Sequence, residues 1–251
     1  MPGALADGYK NRTQQARVVT EAWGLAQMYC PNCSSSSLDS TPNNNRAVDF
    51  ICPSCQAPFQ LKAKHGAIGT RLGDGAYSAM LSAIREDRTP NLLVMRYEWP
   101  DWSVRDLYLI PHFAFPESAV IERKPLSASA RRAGWVGCNI ALDRIAPEAR
   151  IPVVENRIVT PCGEVRANYK QLKPLSEIKA AQRGWTLDVL NLIRRLGKSE
   201  FSTSDAYAFT RELESLHPDN RHVHDKIRQQ LQVLRDAGLL HHLERGRWRL
   251  P

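Results

Sequence analysis

Apolar residues recur at helical spacing across residues 9–29, where Ala16, Val19, Trp23 and Leu25 or Ala26 share a face, and this predicts an amphipathic helix. The polar stretch SSSSLDSTPNNNR, residues 34–46, reads as a loop. Two short segments, 47–51 (AVDFI) and 58–64 (PFQLKAK), predict strands separated by a Cys-x-x-Cys turn. A second helix is expected over 74–87, with Asp74 as its cap. The apolar runs 91–97 (NLLVMRY) and 104–110 (VRDLYLI), joined by a turn at Glu98–Ser103, predict central sheet strands. Residues 122–140 are basic, rich in small side chains and without a clean period, so they read as a functional loop. After 151–160 the pattern becomes irregular, and 169–182 reads as a linker or short helix.

From Trp185 the pattern changes. TLDVLNLIRRL predicts one helix, STSDAYAFTRELESL a second capped by Ser202 or Thr203, and VHDKIRQQLQVLRDAG a third that ends at Gly238. LLHHLERGRWRL then alternates around a turn at Glu244–Gly246, as a hairpin does. Three helices followed by a hairpin is the order of a winged helix. The expected division is therefore a larger α/β domain over 1–181 and a small winged-helix domain over 183–251, with no internal repeat.

Composition narrows the class. With 43% hydrophobic and 24% charged residues the chain is ordinary for a globular protein. It has no apolar run long enough for a membrane span, and MPGALADGYKNRTQQ lacks the features of a signal peptide, so the expected compartment is the cytoplasm. A formal charge of +8, with both sides of residue 182 basic, favours a polyanionic partner. Thiols stay reduced in the cytosol, so the six cysteines are not read as disulfides.

Four of them form Cys30-x2-Cys33 and Cys52-x2-Cys55, the spacing of a four-thiolate zinc site. Two tight turns offer four sulfurs to one tetrahedral ion, and a closed shell leaves no position for water or substrate, so the expected role is structural. A redox Cys-x-x-Cys is the alternative. Cys138 and Cys162 read as small buried side chains.

The zinc turn carries candidate chemistry on its flanks. Asp49 lies three residues before Cys52, and Gln60, Lys62 and Lys64 alternate with Phe59, Leu61 and Ala63 along the next strand. Alternation puts the polar set on one face, so a hairpin brings Asp49, Gln60 and Lys62 together. Oxygen donors to hold magnesium, with a lysine to orient water and offset charge, are what phosphodiester hydrolysis requires. The alternative is an ordinary solvated strand face.

Asp49 followed by Gln60-Leu61-Lys62 resembles the PD-(D/E)XK nuclease pattern. A closer resemblance, to the DpnI or Dam-replacing family of restriction endonucleases, is carried by ARVVTEAW, YCPNC, VDFICPSC, FQLKAK, DGAY, RKPLSASARRAGWVGCNI, RGWTLDVLN and IRQQLQVLRD, in the family's order from residue 16 to residue 236. That resemblance implies a restriction-endonuclease-like α/β domain of the PD-(D/E)XK type with an embedded four-cysteine zinc site, followed by a winged helix. It also implies cutting of double-stranded DNA at GATC when the adenine carries a 6-methyl group. By position, Asp49, Gln60 and Lys62 take the active-site places, with Asp49 and Gln60 holding Mg2+ or Mn2+, and Cys30, Cys33, Cys52 and Cys55 hold Zn2+. The family pattern has Glu at the place of Gln60. An amide oxygen still ligates a cation, but one negative charge is lost.

DNA contact is expected from two regions. In 121–140, Arg123, Lys124, Arg131 and Arg132 surround Trp135, which suits phosphate clamping, guanine contact or a methyl pocket. On the third helix of the winged domain, Val223, Ile227, Leu231 and Leu234 form the buried stripe. That leaves His222, His224, Lys226, Arg228, Gln229, Gln232 and Arg235 outward, with Arg245, Arg247 and Arg249 on the wing. His241 and His242 read as hairpin surface. Solvated basic surface is the alternative for both regions. Three functions follow: a methyl-directed type II endonuclease, expected to be monomeric; a catalytically silent reader of methylated DNA, motivated by Gln60; or a transcription factor, which leaves Asp49 and Lys62 without a role.

Overall fold

The computed structural model describes residues 1–42 and 47–251, so the last four positions of the expected polar loop lie outside the described residues. The strands, in chain order, are β1 (Asp39–Ser40), β2 (Phe50–Ile51), β3 (Pro58–His65), β4 (Arg71–Ala76), β5 (Asn91–Glu98), β6 (Ser103–Ile110), β7 (Val120–Glu122), β8 (Gly137–Ala141), β9 (Ile151–Glu155), β10 (Ile158–Val159), β11 (Glu200–Ser202), β12 (His241–Glu244) and β13 (Arg247–Arg249). The α-helices are α1 (Arg12–Gln27), α2 (Tyr77–Arg85), α3 (Cys162–Leu172), α4 (Ala180–Arg195), α5 (Thr203–Tyr207), α6 (Thr210–Leu216) and α7 (Val223–Asp236). Two compact units result. Unit 1 gathers Met1–Gly69, Arg88–His112 and Glu148–Lys170; unit 2 gathers Thr70–Asp87, Phe113–Pro147 and Gln171–Pro251.

Unit 1 is built on a seven-stranded mixed sheet in the order β1-β2-β3-β5-β6-β9-β10. Strands β3 and β5 run parallel, in register from Phe59↔Asn91 to His65↔Tyr97. Leu92, Leu93, Val94 and Met95 are all buried, so β5 is covered on both faces, which is why NLLVM is a continuous apolar run and does not alternate. Helix α1 starts at an Asn11 cap, whose side chain accepts from the Thr13 N–H, and lays its apolar stripe on β3. Val19 is fully buried with Ala6, Tyr97 and Trp102, and Ala16 and Ala63 pack against that cluster. One turn further on, a Cβ on Gly24 would lie 2.6 Å from the Phe50 ring, so glycine alone lets α1 approach β2 this closely. Buried Asn91 ties three elements: its amide donates to the Pro58 carbonyl (3.1 Å), and its oxygen accepts from the His112 N–H and the Tyr169 hydroxyl (3.1 Å each).

Unit 2 contains the sheet β4-β8-β7 with α2, together with the winged helix. Strand β8 forms within the 122–140 stretch expected to be loop, because Gly137–Ala141 pairs with both β4 and β7. The helix expected over 74–87 is shorter than its pattern. Residues 71–76, Asp74 included, belong to β4, and Ala76 occupies the N-cap with no side-chain cap. Glycines at 73 and 75 and a register shift let the backbone use its hydrogen bonds in the ladder instead. The expected strand 47–51 is likewise reduced to Phe50–Ile51, since Ala47 takes a left-handed φ of +62°.

In the winged helix, Val223, Ile227, Leu231 and Leu234 are buried as their spacing requires, and buried Gln230 accepts from the Thr186 hydroxyl of α4 at 2.7 Å. The expected second helix is two, α5 and α6. Ser202 and Asp205 form a reciprocal capping box at the start of α5. Strand β13 lies between β12 and β11, a short strand that the sequence pattern did not reveal, and the hairpin turns at Gly246 with φ +74°. Asp188 of α4, almost fully buried, accepts from the Ser118 hydroxyl and bonds His217 Nε2 at 2.8 Å, while the His217 ring stacks on Trp185 at 3.9 Å.

Candidate functional site

Two knuckles bring four sulfurs together. Cys30 faces Cys55 at 3.6 Å and Cys33 faces Cys52 at 3.5 Å, and all four Sγ atoms lie within 4.8 Å of one another. Four thiolates at about 2.3 Å from one ion stand roughly 3.8 Å apart, so this cluster has the size to hold zinc. Burial pushes the Cys52 thiol up, but the N–H groups of Cys55 and Ser54 and the neighbouring sulfurs outweigh it and bring the thiol down to about 6. Cys30 goes the other way, raised by burial. Arg166 of α3 locks the first knuckle, donating to the carbonyls of Cys30 (3.1 Å) and Ser35 (2.8 Å).

The second knuckle turns the chain from β2 into β3, and Asp49 sits at its open end. Its N–H donates to the Phe59 carbonyl at 2.8 Å. Phe50 pairs with Phe59, and Asp49 directly precedes that pair at the start of β2. Asp49 Oδ2 accepts from the Leu61 N–H at 2.6 Å, which ties the acid to the strand between Gln60 and Lys62. Burial raises the Asp49 carboxyl; the Leu61 N–H and the charges of Lys62 and Arg17 act against that rise without cancelling it. A carboxylate and an amide oxygen are hard donors of the kind magnesium takes, so the residues present fit such an ion.

The sequence reading passed over two residues that act on this acid. Glu21 of α1 is raised by burial and by the Asp49 charge, and Arg17, at 3.5 Å from Glu21, opposes both. The i,i+4 Arg–Glu spacing on a predicted helix was the available signal.

The basic stretch after β7 is a folded loop. The Arg123 N–H donates to Gly137 (2.9 Å), that of Leu126 to Trp135 (2.9 Å) and that of Gly134 to Leu126 (3.0 Å), so the loop extends the β7–β8 pair. Arg123, Lys124, Arg131 and Arg132 are exposed and Trp135 is half-buried. The Arg132 guanidinium lies 4.6 Å from the Trp135 ring centre. A Cβ at Gly137 would lie 2.8 Å from that ring, so glycine is needed for the indole to lie across the strand.

On α7, His224, Arg228, Gln229, Gln232 and Arg235 are exposed and Lys226 is half-buried. His224 stacks on Tyr207 of α5 at 4.1 Å and 10°, and its Nε2 meets the Thr210 hydroxyl at 3.0 Å. Arg228 Nη1 donates to the Tyr207 hydroxyl at 2.9 Å, and Nη2 pairs with Asp225. On the wing, Arg245, Arg247 and Arg249 are exposed.

Asp49, Gln60, Lys62 and the four thiols thus belong to unit 1, while the basic loop, α7 and the wing belong to unit 2. A family model described as DpnI, the Dam-replacing family, matches residues 2–178. A second, the Dam-replacing HTH domain, matches residues 181–250. No helix among the described residues is long and apolar enough to cross a membrane.

Proposed function

The chain belongs to the DpnI, Dam-replacing family, and from that premise we propose that it is a methyl-directed type II endonuclease. It cuts double-stranded DNA at GATC sites whose adenine carries a 6-methyl group. The functional domains are 1–181 for cleavage and 183–251 for winged-helix recognition, acting as a monomer in the cytoplasm. The observation that carries this reading is the bond from the Leu61 N–H to Asp49, which sets an acid beside the Gln60-Leu61-Lys62 strand at the edge of a four-thiol knot.

In this reading Asp49 and Gln60 hold Mg2+ or Mn2+, and the cation supplies Lewis acidity toward the scissile phosphate. Lys62 orients the attacking water and offsets charge that builds on the phosphoryl oxygens as the P–O bond breaks. Zinc on Cys30, Cys33, Cys52 and Cys55 is structural and fixes the turn between Asp49 and Gln60. Arg123, Lys124, Arg131, Arg132, Arg245 and Arg247 contact the DNA backbone. Trp135 lies against the methylated adenine, whose methyl group adds an apolar knob in the major groove. His224, Arg228, Gln229, Gln232 and Arg235 meet base edges or phosphates from α7.

The test is digestion of adenine-methylated and unmethylated plasmid with magnesium or manganese. The expected result is cutting of the methylated plasmid alone; equal cutting of both rejects methyl-directed specificity. Gln60 favours one second reading, a methylated-DNA reader that does not cut, because a neutral amide weakens the cation site. If the wild type binds without cutting and Gln60→Glu cuts, the reader is correct.

A further inference from the structure

Exposed arginines on a helix surface normally sample many rotamers, and freezing one on binding costs affinity. Arg228 is not in that condition. Its Nη1 donates to the Tyr207 hydroxyl at 2.9 Å and its Nη2 to Asp225, so both ends of the fork are held from neighbouring side chains. Each Nη keeps one hydrogen and the Nε–H stays available, enough for two parallel bonds to a guanine edge.

The same tyrosine holds a second residue. Its ring stacks on His224, 4.1 Å between centres and 10° between planes, and the Thr210 hydroxyl of α6 meets the imidazole Nε2 at 3.0 Å while donating to the Tyr207 carbonyl at 2.7 Å. His224 and Arg228 are four residues apart on one face of α7, towards its N-terminal half, the part of a recognition helix that meets bases. Tyr207 itself stands on a firm base. Helix α5 begins in the Ser202–Asp205 capping box, and the Trp248 indole N–H donates to the Thr203 hydroxyl at 2.9 Å. One aromatic ring, absent from the outward set that helical spacing selects on α7, thus organises two members of that set.

We infer that Tyr207 is a positioning residue for sequence recognition, setting Arg228 and His224 in their reading geometry before DNA arrives. The inference rests on the DNA-reading role proposed above for α7. Tyr207 acts through Arg228, so removing only its hydroxyl lowers discrimination while leaving the fold and the phosphate contacts intact.

The experiment uses the full chain and competition binding to a methylated GATC duplex, and to duplexes in which the guanine–cytosine pair is replaced. Tyr207→Phe keeps the ring on His224 and removes the acceptor for Arg228. Its preference for guanine should fall about tenfold, within the range of one bidentate contact. Its thermal midpoint and the slope of log K against log salt should match the wild type, since neither packing nor phosphate contacts change. Arg228→Ala should abolish the same preference, and adding Tyr207→Phe to it should do no further harm. Unchanged guanine preference in Tyr207→Phe, or an additive double variant, overturns the inference while the wider reading stands. A wild type with no preference for GATC removes that reading and this inference with it.

Discussion

The Leu61 N–H donates to the Asp49 carboxylate at 2.6 Å, across the point where β2 ends and β3 continues without it. That bond satisfies a backbone donor on the open edge of β3 and, in the same stroke, orients the acid beside Gln60 and Lys62. The strand edge and the candidate chemistry are therefore one structure.

Asp49→Asn and Lys62→Ala should each lower cleavage of methylated plasmid by about a thousandfold, the scale of losing several kcal/mol of transition-state stabilisation. Affinity for the same DNA should change little, because the proposed reading residues are elsewhere. Measured cleavage within a few-fold of wild type in both variants would remove Asp49 and Lys62 from the chemistry.

The purified chain should carry one zinc, released by a strong chelator together with loss of the folded state of unit 1. Binding to four thiolates is worth about 10–16 kcal/mol, as large as the whole stability of a typical domain. Metal analysis and circular dichroism on the same sample check this. A metal-free chain that melts cooperatively at the same temperature contradicts it.

Gly24→Ala should destabilise the chain by about 1–3 kcal/mol, since the new methyl meets the Phe50 ring and overpacks the α1–β2 contact. Gly8→Ala is the control: nothing lies within 4 Å of its Cβ position. Denaturant midpoints of the two variants should separate. Phe50 directly follows Asp49, so Gly24→Ala should also slow cleavage.

Asp205 accepts from Lys198 and from the hydroxyl and N–H of Ser202, and these bonds hold its carboxyl well below the usual value of 3.8. A carboxyl depressed in the folded state stabilises the fold above its unfolded value, and that contribution disappears as pH falls through the folded value. Stability of the winged helix should therefore decline below about pH 4, and Asp205→Asn should flatten that decline. Urea titrations from neutral to acid pH measure it; parallel curves for both proteins would assign the acid sensitivity to other groups.

Periodicity disclosed the fold class and the helical end well where one element buries one stripe. Val223, Ile227, Leu231 and Leu234 are spaced as a helix face and are buried as one. The Cys-x-x-Cys pairs disclosed their cluster because their spacing is itself a geometric constraint. Failures occurred where a strand is short or made of small residues. DGA in β4 and GCNIA in β8 have no alternation, and only their mutual pairing makes them strands. Asp74 looks like a helix cap because capping residues are also common in turns and bulges; here it falls in the irregular step of β4 between Gly73 and Ala76. Tyr207 carries no local signature and Glu21 only its i,i+4 spacing from Arg17: the bond from Arg228 to the first and the field of Asp49 on the second exist only after folding.

The allocation of groups to the two units has an evolutionary reading. On the function proposed above, a change at Gln60 in unit 1 would blunt the blade while leaving the α7 and wing side chains of unit 2, the address label, as they are. Conversely, on the same proposal, drift among the side chains of α7 would retarget the label without touching Asp49, Lys62 or the four cysteines. If that function holds, toxicity to a host genome and choice of target would be open to selection as separate traits within a single gene.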